Sequence, residues 1–424
     1  APVGGVVASG NATISASGLV TTVNQSTDRA VIDWSSFNLA QNETARFVVP
    51  SDSGATLNRI SGGVSTISGS VESNGTVYFA NPNGLVFDAT SRVSANGFVA
   101  TTGTISNFDF MSRGEFSNLG SGWVTLNGAV SAPAITALAG SVTVGGNLAA
   151  GSGKILLSSS NLTTIGQGAT ISADAGANET GGNIKIWSDS HTDFLGTITA
   201  LGGSNSGDGG FVEVSGKRTL NFSGTVSTLA AHGKTGTLLL DPSDITISTG
   251  TDSSTNTGGT ITSNNAASIV NTTTLKTALA SNNIIIDANA GTGTGSGLIT
   301  VANDILAATA GSNSLTLTGS QIIINANITM RSGGNLTLNA TKASVWQNPS
   351  TLITATTLSG SSVDGFALGG ANLITNLGTI TNSGSAGVMV KNAQALTITA
   401  SKIDGGSGGV MIVAPNKEVT ISGA

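Results

Sequence analysis

Leu315-Thr316-Leu317 returns as Leu336-Thr337-Leu338 and again as Leu396-Thr397-Ile398. In each string apolar side chains flank a threonine, the period-two pattern of a strand with one buried face. Leu317, Leu338, Leu358, Ile380, Ile398 and Val419 follow one another at intervals of 21, 20, 22, 18 and 21 residues. A strand-type unit that repeats near every twenty residues is too small to bury its own apolar face, so it must stack on copies of itself. Stacked strands sit ~4.8 Å apart, which would align Val, Ile and Leu in internal columns and let Asn, Ser and Thr form ladders at the corners. The expected fold is therefore all-β: a right-handed parallel β-helix, its hand following the usual chirality of parallel crossovers. β-Sandwiches are the rival. They show strands at about 8–12-residue spacing and more aromatic residues, and this chain has one Tyr and four Trp.

Composition supports a folded chain. Only 9% of the 424 residues are charged and 59 are Gly, yet mean hydropathy is +0.22 and net charge only −6, whereas disorder requires low hydrophobicity. The 16 Lys and Arg are scattered and form no basic stripe, which argues against nucleic acid as a partner. No run of 18 apolar residues exists, so no transmembrane helical span is expected. The chain has no Cys, which suits a polypeptide that crosses a narrow channel unfolded, where a crosslink would block transit. It opens Ala1-Pro2-Val3-Gly4-Gly5 without an initiator Met, and a signal peptide cleaved before Ala1 is the expectation. The strand-like Val419-Thr420-Ile421 ends it without a tail, and the chain reads as part of a longer protein.

One segment departs from the strand pattern. Within Asn264 to Asn283, where Ala266, Ile269 and Val270 alternate little, Thr273 to Ser281 reads as a short helix. The preceding Gly250 to Gly259 is rich in Ser, Thr and Gly. A boundary is placed there, with residues 1–245 as one region and 246–424 as a second, repetitive one. An N-terminal cap is also expected, because an open solenoid end exposes apolar side chains and strand edges. Trp34, Phe37, Phe47, Phe79 and Phe87 are the residues to seal it.

The sharpest local signal is Asn74-Gly75-Thr76-Val77-Tyr78-Phe79-Ala80-Asn81-Pro82-Asn83-Gly84-Leu85-Val86-Phe87. Two strands flank a corner in which Pro82 presets φ and Gly84 can take a positive one. With Val23-Asn24-Gln25-Ser26, the run Ala30 to Asn38, Leu57-Asn58-Arg59-Ile60, Gly69 to Gly75 and Ala95 to Thr102, in that order, this region resembles the secretion domain of two-partner-secretion exoproteins, the filamentous-haemagglutinin type. Trp187 to Phe194, Gly209 to Lys217 and Gly236 to Pro242 look like further segments of large members. The chain lacks the Asn-Pro-Asn-Leu motif and the Cys pair of the haemagglutinin branch, and so resembles the high-molecular-weight adhesin branch more.

The resemblance implies a mechanism. The N-terminal region would bind, while still unfolded, the periplasmic docking domains of an outer-membrane transporter pore, then pass through and fold outside a Gram-negative cell, at its surface or released from it. It implies a secretion motif made of Asn81, Pro82, Asn83 and Gly84, with Asn58 and Arg59. The turn either contacts the pore or only shapes the fold. Adhesion or biofilm attachment through a host receptor or an exopolysaccharide is the implied role. The shaft of a contact-dependent growth inhibition toxin is the alternative, and a β-helical polysaccharide-active enzyme a weaker one.

Other candidates read as structural. Asp189, His191 and Asp193 alternate, and on a strand would share one face, as a metal or acid–base set would. A solvent-facing polar edge is the better reading. Gly202 to Gly210 resembles a calcium-binding glycine repeat, but occurs once, and reads as a turn. Sequons such as Asn11-Ala12-Thr13, Asn42-Glu43-Thr44, Asn221-Phe222-Ser223 and Asn335-Leu336-Thr337 are expected by chance in a chain this rich in Asn and Thr. No phosphate loop, nucleophile elbow or zinc spacing is present. No catalytic residue, metal site or cofactor is expected.

Overall fold

The computed structural model describes residues 1–251, 255–257, 260–262, 268–288, 295–307 and 313–422. Asn264, Ala266 and part of the Gly250 to Gly259 stretch, all invoked above, lie outside them. The chain divides into two compact units, residues 1–212 with 230–234, and residues 213–229 with 235–424. Each contains a parallel β-helix.

In the first unit the coil has three strand positions. One carries the register Ile32, Asn58, Phe79, Ala100, Ala137, Leu157 and Ile186. A second aligns Ile67, Phe87, Leu126, Val144, Ile165 and Phe194. The third aligns Thr21, Ala45, Val71, Val93, Val130, Leu148, Ile171 and Ile198. All of these side chains are buried, so the core is the shared interior of the three columns. Each column joins residues far apart in sequence, and it is stacking that makes each coil's apolar side worth burying.

The expected cap is present. Val6–Ser9 runs antiparallel to Arg29–Trp34, and Ala12–Ser17 antiparallel to Val20–Gln25. These are the extra-helical β elements. Inside this end the aromatic residues interlock edge to face: Trp34 to Phe37 at 5.3 Å, Phe37 to Phe79 at 5.1 Å, Phe47 to Phe79 at 6.2 Å and Phe79 to Phe87 at 5.7 Å between centroids. Such pairs prefer this geometry because the positive ring edge meets the negative face.

In the second unit, the repeat strings do stack in parallel register, but not in the single column that spacing suggests. Leu315 aligns with Leu336, Leu358, Leu377, Ile398 and Ile421. Leu317 aligns with Leu338, Gly360, Ile380 and Ile403. Leu358 therefore belongs beside Leu336 rather than Leu338, and Val419 beside Leu396. The cause is that positions i and i+2 of a strand point the same way. A coil that gains or loses two residues keeps its apolar face while changing column. The shift between Leu358 and Gly360 is a one-residue bulge, where a step of two residues on one strand faces a step of three, Leu377 to Ile380, on the next. Gly360 leaves room for Phe366, whose ring would lie 2.6 Å from a Cβ there. At one corner Gln347 and Asn372 exchange side-chain hydrogen bonds of 2.8 and 3.0 Å. Asn392 continues the ladder by accepting from the Ile374 N–H at 2.8 Å.

Two α-helices are among the described residues. Thr272–Leu279 matches the expected one; Asn271 Oδ1 caps it by accepting from the Thr273 N–H at 2.8 Å, and Leu275, Ala278 and Leu279 are buried. The other, Asn107–Ser112, was not anticipated. Its six residues are too few for a 3.6-residue period to show.

Candidate functional site

Strand register brings the motif residues together. Asn58 pairs with Phe79 and Arg59 with Ala80, so the Leu57 to Ile60 block lies beside the strand that leads into the turn. The turn closes by a hydrogen bond from the Gly84 N–H to the Asn81 carbonyl at 3.0 Å. Pro82 and Asn83 occupy its two central positions and are exposed, whereas Asn81 and Gly84 are buried.

Asn81 is braced on every side. Its Nδ2 donates to the Gly63 carbonyl at 2.9 Å and to Ser65 Oγ at 3.0 Å. Its Oδ1 accepts from the Asn83 N–H at 3.0 Å, an Asx turn nested in the β-turn. Its own N–H donates to the Thr101 carbonyl at 3.0 Å. Asn83, by contrast, reaches only sideways, Nδ2 to the Gly62 carbonyl at 2.7 Å. Gly84 has φ +116°, and a Cβ there would stand 3.0 Å from the indole of Trp123. Gly84→Ala is expected to destabilise the first unit by about 1–3 kcal/mol. Urea unfolding of this variant with and without Trp123→Ala separates backbone strain, which persists, from the clash, which disappears.

The companion pair splits in the same way. Asn58 is fully buried, accepting from Trp34 Nε1 at 2.9 Å and donating to the Tyr78 carbonyl at 3.1 Å. Arg59 points out and holds Asp33 through two bonds, Nε to Oδ1 at 2.6 Å and Nη2 to Oδ2 at 3.0 Å. The two are register partners one coil apart. A cleft of about 350 Å³ runs from this pair past Ala80 and Pro82 to Thr104 and Ile105. Asn58 and Asn81 thus face inward as braces, while half-buried Arg59 and exposed Pro82 line the cleft and Asn83 lies exposed next to Pro82. Sequence reasoning missed Asp33, Ser65 and Trp123. The legible hint for Asp33 was an opposite charge one coil length from Arg59.

The polar triad reads differently from expectation. Asp189 lies in the bend before the strand His191–Phe194 and accepts from Trp187 Nε1 at 3.0 Å. It does not share a strand face with the others. His191 is buried, not solvent-facing, with Nε2 2.9 Å from Asp193 Oδ1. The bend between Ser188 and His191 breaks the alternation on which the shared face depended. Among the described residues no three His, Cys, Asp or Glu side chains are grouped to hold a metal ion. Gly202 to Gly210 forms an irregular turn in which Asp208 Oδ1 accepts from the Lys234 N–H at 2.7 Å.

The first unit is thus a parallel β-helix closed at its N-terminal end by antiparallel strands, with a braced Asn-Pro-Asn-Gly corner on its side. The family model of the TPS secretion domain matches residues 1–261, and the chain belongs to that family. Proteins with this domain are exported across the outer membrane of Gram-negative bacteria by a transporter partner and are secreted or surface-associated. Over its whole length the chain is similar in fold to the crystal structure of the HMW1 secretion domain from Haemophilus influenzae, with TM-score 0.51, 17% identity and full coverage of both chains. Two heme/hemopexin-binding proteins of Haemophilus influenzae are similar in sequence. One, from strain Rd, is 38% identical over 102 residues, 24% of this chain and 11% of that protein. The other is 39% identical over 82 residues, 19% and 9% respectively. The matched stretches span about a tenth of those relatives. No helix among the described residues is long and apolar enough to cross a membrane.

Proposed function

We propose that residues 1–245 carry the export determinant, and that the Asn-Pro-Asn-Gly corner, whose turn is closed by its own local hydrogen bonds and so can form before the coils stack, is what the transporter's periplasmic docking domains read, its Pro82–Asn83 tip foremost. Residues 246–424 then begin a shaft that carries an attachment function at the cell surface, toward a receptor or an exopolysaccharide. The chain works by being displayed rather than by catalysis. The observation that carries this reading is the division of one short motif into a buried bracing half and a solvent-facing half. Folding accounts for Asn58, Asn81 and Gly84 and for the preset φ of Pro82, but asks little of the Asn83 side chain, whose one hydrogen bond is exposed. The family match over 1–261 supports the placement of the export region.

Asn83→Ala removes one exposed hydrogen bond, a loss of at most about 1 kcal/mol. It is expected to keep the melting temperature while lowering the exported amount when the transporter is co-expressed. Undiminished export with both Asn83→Ala and Pro82→Ala would show that the tip is not read. A second reading takes its support from the relatives named for heme and hemopexin: the exported protein captures such a ligand instead of a surface. Binding of heme or hemopexin to the purified full-length protein, against adherence of cells displaying it, separates the two.

A further inference from the structure

The unanticipated helix belongs to a strap, residues 103–122, that leaves the coil after Gly97–Thr101 and re-enters at Trp123–Leu126. Its neck is tied shut. Thr102 Oγ1 donates to the Leu119 carbonyl at 2.7 Å, and Asn118 accepts from the Thr104 N–H at 3.1 Å while donating to the Thr104 carbonyl at 3.2 Å. Beneath the strap lie Val31, Leu57 and Ala80, packed against Ile105 and Phe110, with Tyr78, Met111 and Phe116 partly buried at the margin. Val31, Leu57 and Tyr78 are register partners on three successive coils. They form an outer column, because their neighbours Ile32, Asn58 and Phe79 form the inner one. Here both faces of the strand are buried, as Ala30-Val31-Ile32 and Ala55-Thr56-Leu57-Asn58 record.

The grip is specific. Phe110 is fully buried, with Tyr78 edge-on to it at 5.1 Å. Arg29 donates through Nη1 to the Phe110 carbonyl and through Nη2 to the Arg113 carbonyl at 3.3 Å, and its guanidinium lies 5.5 Å from the Phe110 ring centroid. Arg59, from the next coil, donates to the Ile105 carbonyl at 3.4 Å. Charged donors on main-chain carbonyls at the edge of an apolar contact make strong, orientation-dependent bonds. Yet Phe110 lies 81 residues beyond Arg29. The cover arrives long after the surface it covers.

We propose that the strap is a latch. The first three coils assemble with the Val31–Leu57–Tyr78 column bare, and closure of Phe110 onto that column converts them from a readily reopened state to a committed one. In any order of emergence from a pore in which the first coils precede the strap, the column stays open until about residue 116 is out, and the first coils cannot lock before then.

Hydrogen exchange on the purified full-length chain tests this without any transporter, so its outcome is independent of the export reading. In Phe110→Ala the amides of Arg29–Trp34, Ala55–Ile60 and Thr76–Ala80 are expected to exchange about tenfold faster or more, while Asn147–Ala149 and Thr170–Ser172 keep their rates. Arg29→Lys, which loses the forked grip but keeps the charge, should give a smaller increase in the same three strands. Phe108→Ala, at a position 80% exposed on the same helix, should change nothing there. The latch is overturned if Phe110→Ala speeds exchange only within residues 104–118, or if it speeds the whole first unit uniformly. Should Phe110→Ala fail to fold, Arg29→Lys faces the same two criteria.

Discussion

Asn81→Ala destabilises the first unit by about 2 kcal/mol and reduces export along with it; that is the expected result. The substitution removes three hydrogen bonds from a site with no exposure. The Gly63 carbonyl and the Ser65 hydroxyl lose a donor, and the Asn83 N–H loses its acceptor. Ser65 is buried, and its hydroxyl, stripped of a partner, forfeits a desolvation cost of about 1–3 kcal/mol, whereas Gly63 and Asn83 are exposed and water takes over the lost bonds. The backbone bonds from Gly84 to Asn81 and from Asn81 to Thr101 survive, so the corner loosens without being abolished. Thermal or urea unfolding of Asn81→Ala beside Asn83→Ala is the decisive comparison. A stable Asn81→Ala with lost export would mean that this side chain is read by the transporter before folding buries it.

Phe79→Ala is expected to have the largest effect on stability, about 4 kcal/mol, from lost burial plus the cavity left behind. Phe79 is the hub of the aromatic cluster: Phe37, Phe47, Phe87 and Phe98 all stand within 6.4 Å of its ring centroid. Removing it leaves a void that rings on four different elements cannot all collapse to fill, and each edge-to-face partner is lost with it. Limited proteolysis should then cut within the first hundred residues well before the native chain is touched. Phe79→Leu, which restores most of the volume, should recover more than half of the loss. If the alanine variant unfolds at the native temperature, the aromatic cluster does not hold the cap.

The Leu-Thr-Leu strings made the parallel β-helix legible, because a twenty-residue unit has nowhere to hide its apolar face except against its own copies. Column membership was not legible. Leu358 and Gly360 point the same way, and only the real path of each corner decides which of them meets Leu338. The motif corner was legible as a turn from Pro82 and Gly84. Its two-faced character was not, since Asn81 and Asn83 are the same residue type two positions apart, one wholly buried and one in solvent. The His191 environment failed for a related reason: a two-residue bend reset the alternation from which its exposure was inferred.

By itself the sequence determined the fold class, the cap aromatics, the helix at Thr272–Leu279 and the corner that carries the family resemblance. Each of these depends on neighbours within one coil or on a repeat that can be counted along the chain. Tertiary structure alone decided the pairing of Asp33 with Arg59, the seating of Gly84 under Trp123, and the strap that Arg29 holds through carbonyls more than eighty residues away. These contacts depend on how successive coils line up, and that register accumulates from the length of every intervening turn.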